Sequence, residues 1–123
     1  MNDRLRVVKL RPYRPGLGPI WTLTLWDTHR VDRLGKSILR YRLTENCPID
    51  GKTVLFEGED FACSPMHAVD SDYAVAAVLG FLTLRPGDTD AEYFESYTPR
   101  QLEFCAQHAE YLQSYITDRF GEW

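Results

Sequence analysis

The hydrophobic period changes midway along the chain, and no other feature limits the fold as strongly. From Ile20 to Thr28, Trp21, Leu23 and Leu25 alternate with Thr22, Thr24 and Trp26. β-Branched and aromatic residues at period two specify a strand with one apolar and one polar face. The pattern returns from Ser37 to Thr44, where Leu39, Tyr41 and Leu43 alternate with Arg40 and Arg42. Arg4 to Leu10 reads as another strand, with Arg4 and Arg6 directed opposite to Leu5 and Val7. Lys52 to Glu57 reads as a short fourth strand, with Gly51 and Gly58 flanking it as turn residues. Arg11 to Pro19 contains three prolines and two glycines and must be a loop. Val31 to Lys36 forms a hairpin connection around Gly35, and Pro48-Ile49-Asp50-Gly51 forms a turn. Connections this short favour an antiparallel meander.

Beyond residue 70 the period is helical. Asp70, Ser71 and Asp72 supply capping oxygens and negative charge for a helix that begins near Ser71. From Tyr73 to Leu84 it is apolar almost all round, which marks a buried element, and Arg85-Pro86-Gly87-Asp88 ends it. A short helix is expected from Asp90 to Tyr97. Thr98-Pro99-Arg100-Gln101 then combines a capping box with proline at the first helical position. In the long helix that follows, Leu102, Cys105, Ala109, Leu112 and Ile116 recur every three or four residues, with Phe104, His108, Tyr111 and Tyr115 beside them; Gly121 closes it. Strands followed by helices predict an α+β fold: an antiparallel sheet of about four strands, packed on one face by two to three C-terminal helices. With 123 residues, the chain is expected to form a single domain over 1–123.

Composition narrows the class. A hydrophobic fraction of 44% and a charged fraction of 26% exclude a disordered tail and a coiled coil. No apolar run reaches the roughly 18 residues of a membrane span, and the N-terminus lacks the apolar core of a signal peptide. Three cysteines are too few, and odd in number, for a disulfide framework, which predicts a reduced, cytoplasmic protein. The net charge of −4 hides an asymmetry: residues 1–56 carry 11 Lys and Arg against 5 Asp and Glu, and residues 57–123 carry 3 against 13. Overall acidity opposes general affinity for nucleic acid, while a local basic face remains open.

Two constellations in the sequence offer chemistry. Cys63 and His67, with Asp60 or Asp70 to orient the imidazole, supply the residue types of a thiol enzyme, since a neighbouring His lowers a thiol's pKa. Against this stands the ordinary reading of a small buried thiol. Cys63, His67, Cys105 and His108 also make a Cys2His2 set of the kind that tetrahedral zinc accepts. Cys105 lies on the apolar stripe, however, so no metal and no other cofactor is expected. No phosphate-binding glycine loop and no hydrolase motif is present.

The polar side of the strands is the third candidate. If Trp21, Leu25 and Tyr41 face the core, then Arg4, Arg6, Trp26, Arg40 and Arg42 share the opposite face, where Arg and Trp suit a binding hot spot. The chain is therefore expected to be a small non-enzymatic protein that binds another macromolecule, most readily a protein. An inhibitor or accessory factor of a nucleic-acid-handling protein is one form of that reading. The alternatives are a Cys63/His67 enzyme and single-stranded nucleic acid bound on the same face.

Overall fold

The structure is a computed structural model that describes residues 3–11, 18–47, 49, 51–64, 71–82, 95 and 97–120. The backbone groups into two compact units, one running to Ala74 and one from Val75. The first unit holds β1 (Asp3–Leu10), β2 (Ile20–Val31), β3 (Ser37–Cys47) and β4 (Gly51–Cys63). Each strand pairs antiparallel with the next, in the order β1-β2-β3-β4, so the predicted meander is present. With α1 (Ser71–Leu82) and α2 (Pro99–Phe120) following the sheet, the fold is α+β.

The apolar face forms as the period-two pattern requires. Trp21, Leu23, Leu25, Leu39 and Leu43 are fully buried, and they meet across the β2–β3 ladder as Leu23–Leu43 and Asp27–Leu39 pairs, with Leu25 opposite Tyr41. Trp21 Nε1 donates to Glu45 Oε2 at 3.1 Å, so the buried indole keeps a partner for its polar atom. The β2–β3 hairpin turns through Asp32, whose Oδ1 accepts from the amides of Leu34 (2.8 Å) and Lys36 (2.9 Å), while Gly35 takes the left-handed φ of +81°.

The ladders are interrupted where the sequence shows no break. One extra residue in β1, Leu5, separates the pair Arg4–Trp26 from the pair Arg6–Leu25. A bulge of this kind shifts every following side chain to the other face. Val8 and Leu10 are therefore buried and Val7 is exposed, the reverse of the expected alternation. In β2, Thr28 and His29 stand between Asp27–Leu39 and Arg30–Ile38. There Thr28 Oγ1 donates to the Ile38 carbonyl at 2.7 Å and accepts from the Arg30 amide at 3.2 Å, and His29 adopts a φ of +60°.

β4 is longer than Lys52 to Glu57. It runs to Cys63, which pairs with Ser37, so Asp60 to Cys63 belongs to the strand. Gly58 lies inside this strand opposite Tyr41, not at its end. β4 also bulges at Leu55 and again at Glu59–Asp60. The first bulge lets adjacent residues Leu55 and Phe56 both be buried.

α1 begins where predicted, and Ala74, Val75, Ala76, Val78, Leu79 and Leu82 are buried on nearly all its sides. α2 begins with the predicted reciprocal cap. Thr98 Oγ1 accepts from the Gln101 amide at 3.2 Å, and Gln101 Oε1 accepts from the Thr98 amide at 2.9 Å. Phe104, Cys105, Ala109, Leu112 and Ile116 form its buried stripe. The expected helix from Asp90 to Tyr97 falls mostly outside the described residues, as do the helix-ending residues near Pro86 and Gly121. No helix among the described residues is long and apolar enough to cross a membrane.

Candidate binding face of the sheet

Three cross-strand rows build the polar face, because directly opposed residues of an antiparallel ladder point to the same side. The first row is Arg4, Trp26 and Arg40; Arg40 then faces the bulge at Glu59–Asp60 of β4. The second is Val7, Thr24, Arg42 and Glu57, and the third is Lys9, Thr22, Thr44 and Val54. Trp26 is half-buried, and the Arg40 guanidinium carbon lies 4.6 Å from its ring centroid. The Arg42 guanidinium carbon lies 5.8 Å from the same ring. A cation over an indole at a partly exposed site is worth about 0.5–1 kcal/mol. That biases the Arg40 rotamer without locking it.

The two arginines differ in their partners. Arg42 Nε donates to Glu57 Oε2 at 3.2 Å across the ladder. Arg40 and Arg4 make no hydrogen bond or ion pair among the described residues. Stacking uses the flat face of a guanidinium, while its five N–H donors lie in the plane. No described residue accepts from the Arg40 donors, which leaves them available to an anion. Beside them lies a shallow depression of about 380 Å³, lined by Arg40, Arg42, Glu57, Gly58 and Glu59.

Arg6 does not belong to this face. The Leu5 bulge turns it to the side of Leu25, where it forms an ion pair with Asp72 in the first turn of α1. Val7, Lys9 and Val54 take polar-face positions that alternation alone did not indicate; Val7 and Val54 are 43% and 47% exposed. The adjacent pair Val7-Val8, followed by Leu10, carried the only local signal of the shift in β1.

Cys63 is placed at the buried end of β4. Burial raises the pKa of its thiol, outweighing a hydrogen bond from the Ser64 backbone and the charge of Lys36. Burial likewise raises the pKa of Cys105. A nucleophilic thiol needs the opposite shift. His67 and Asp70, named with Cys63 for the thiol site, lie outside the described residues. Among the described residues no group of three or more His, Cys, Asp and Glu side chains is arranged to hold a metal. In α2, the His108 ring lies tilted against Phe104, one turn away, with centroids 5.1 Å apart.

The polar side of α2 carries a shallow hollow of about 500 Å³ lined by Glu110, Gln113, Ser114, Thr117 and Asp118. This is the ordinary solvated face of an amphipathic helix. Compared with models of known families, with curated proteins and with solved structures, the chain matches none.

Proposed function

We propose that this chain is a small non-enzymatic binding protein whose partner, another protein, docks on the polar face of the sheet. One observation carries the reading. The Arg40 guanidinium carbon lies over the Trp26 ring at 4.6 Å, its donors meet no acceptor among the described residues, and Arg4 lies on the strand across from the same tryptophan. Tryptophan and arginine dominate protein hot spots because each offers a large, partly rigid contact area with directional donors. The exposed Val7 and Val54 add apolar area on the same face, one and two rows away. That mixture of aromatic, apolar and Arg contacts resembles the centre of a protein interface more than a track for phosphates. The raised pKa of Cys63 argues against thiol catalysis.

The test is affinity capture from an extract of the source cells, with wild-type protein and an Arg4→Ala/Arg40→Ala variant as baits. Neither arginine side chain makes a hydrogen bond or ion pair among the described residues and Arg40 loses only its contact with Trp26, so the variant is expected to keep its stability within about 1 kcal/mol. Affinity for the captured partner is expected to weaken by at least about 1 kcal/mol. The same partner held with unchanged affinity by the folded variant would refute the docking face.

A further inference from the structure

Resting on that docking reading, we infer that the polar face recognises an acidic segment of its partner, through carboxylates seated on Arg40 and Arg4 on either side of Trp26. Neighbouring strands lie about 4.8 Å apart, so Arg4 and Arg40, two strands apart, are separated by roughly 10 Å at the backbone. Two turns of a helix rise about 10.8 Å, and alternate residues of an extended chain share one side at about 6.7 Å, a gap the long Arg and Glu side chains can stretch to about 10 Å. A run of acidic residues can therefore place carboxylates at both positions in either conformation. The Arg40 guanidinium carbon lies 4.6 Å from the centre of the Trp26 ring, and its N–H donors meet no acceptor among the described residues. A guanidinium with open donors is the fork that binds a carboxylate with two parallel hydrogen bonds.

The charges around this row select among anions. Lys9, Arg4, Arg40 and Arg42 make the face cationic, while Glu57 and Glu59 line the depression beside Arg40. A nucleic-acid strand carries a charge on every nucleotide and would bring phosphates against Glu57 and Glu59. Its affinity also grows with the number of phosphates neutralised, which few cations on a chain of net charge −4 supply poorly. Carboxylates on flexible peptide side chains can turn toward the arginines and away from Glu57 and Glu59. Arg42 adds a third contact, because its exposed pair with Glu57 is weak and an incoming carboxylate can replace Glu57.

The probe is a hexaglutamate peptide with blocked ends, titrated into the isotopically labelled full chain and followed by NMR. The Trp26 indole N–H signal is identified by its loss in Trp26→Phe, and the Arg40 Nε–H signal by its loss in Arg40→Gln. Both are expected to move with added peptide, and the apparent affinity is expected to fall as salt is added. Arg40→Gln should weaken binding at least about fivefold, whereas Arg33→Gln, in the exposed hairpin loop, should leave it unchanged. Well-dispersed amide signals in each variant establish that it is folded. A peptide that leaves both signals in place, one that binds equally well to folded Arg40→Gln, or an oligothymidylate that binds more tightly than the peptide would overturn the assignment. Partner capture that depends on Arg4 and Arg40, together with a silent peptide titration, would overturn the acidic segment alone and keep the docking face. Peptide binding with capture indifferent to both arginines would overturn both.

Discussion

Adding one methyl group at Gly58 should cost the sheet stability, by an amount that its geometry sets. Gly58 pairs with Tyr41 in the β3–β4 ladder. A Cβ built there would lie 2.7 Å from Tyr41 Cε1, 3.1 Å from Cζ and 3.2 Å from Oη. Carbon atoms settle at about 3.5–4.0 Å, so the ring must retreat by roughly 1 Å. It has little room to do so, since Tyr41 is 9% exposed and meets Phe61 edge-on with centroids 6.0 Å apart. Overpacking of this kind costs about 1–3 kcal/mol. Gly58 is not among the glycines with positive φ, so the backbone accepts alanine, and the smaller entropy of the unfolded chain offsets about 0.4–1 kcal/mol. The net expectation for Gly58→Ala is a loss of about 1–2 kcal/mol. For a chain of this length that is a fall of roughly 4–8 °C in Tm. Urea and thermal unfolding followed by circular dichroism measure it. In a Tyr41→Leu background the ring atoms are gone and the same substitution should be neutral or stabilising, a coupling of about 1 kcal/mol or more. Gly58→Ala as stable as wild type, or an equal loss in both backgrounds, would refute the close approach as the reason for glycine.

The remaining expectations test the helix cap, the buried thiols and the β1 bulge. Thr98→Ala should cost about 1 kcal/mol and speed hydrogen exchange at the Gln101 amide, whereas Thr98→Ser should keep the protection; equal exchange in both would remove the cap from the account. The Cys63 and Cys105 thiols have pKa values raised above the ordinary 9.0 by burial. Above that pH the unfolded thiols ionise while the folded ones hold their protons, so stability should decline as pH rises. The decline in urea midpoint from about pH 8 to about pH 10 should be shallower in Cys63→Ala/Cys105→Ala, and identical slopes would refute it. Arg6→Ala breaks the half-exposed pair with Asp72 and should lower stability by no more than about 1 kcal/mol while leaving partner capture intact. A loss of capture on Arg6→Ala in a folded protein would contradict the bulge.

What could be read from the sequence, and what could not, divides along the range of the interaction that decides each feature. The cap at Thr98-Pro99-Arg100-Gln101 is closed by residues three apart, so its sequence contains both halves of the device. The meander follows from short connections, and the Trp26–Arg40 contact follows because the β2–β3 ladder is unbroken from Ile20–Asn46 to Asp27–Leu39. Over that stretch, alternation along each strand is enough to place a side chain. A bulge is decided by the strand opposite. Arg4-Leu5-Arg6-Val7 alternates without fault, yet Leu5 has no partner in β2, and from Arg6 onward the pattern is inverted. The same holds at Leu55, where two adjacent apolar residues are buried, and at Glu59–Asp60, where the strand continues past its expected end to Cys63. The β1 bulge changes the chemistry of the candidate site as well as its membership. It removes Arg6, which is spent on Asp72, and brings Val7 and Lys9 to the polar face. A face of closely spaced arginines would suit a run of phosphates; with Val7 and Val54 exposed on the face that holds Arg4, Trp26 and Arg40, the composition favours the proposed protein partner.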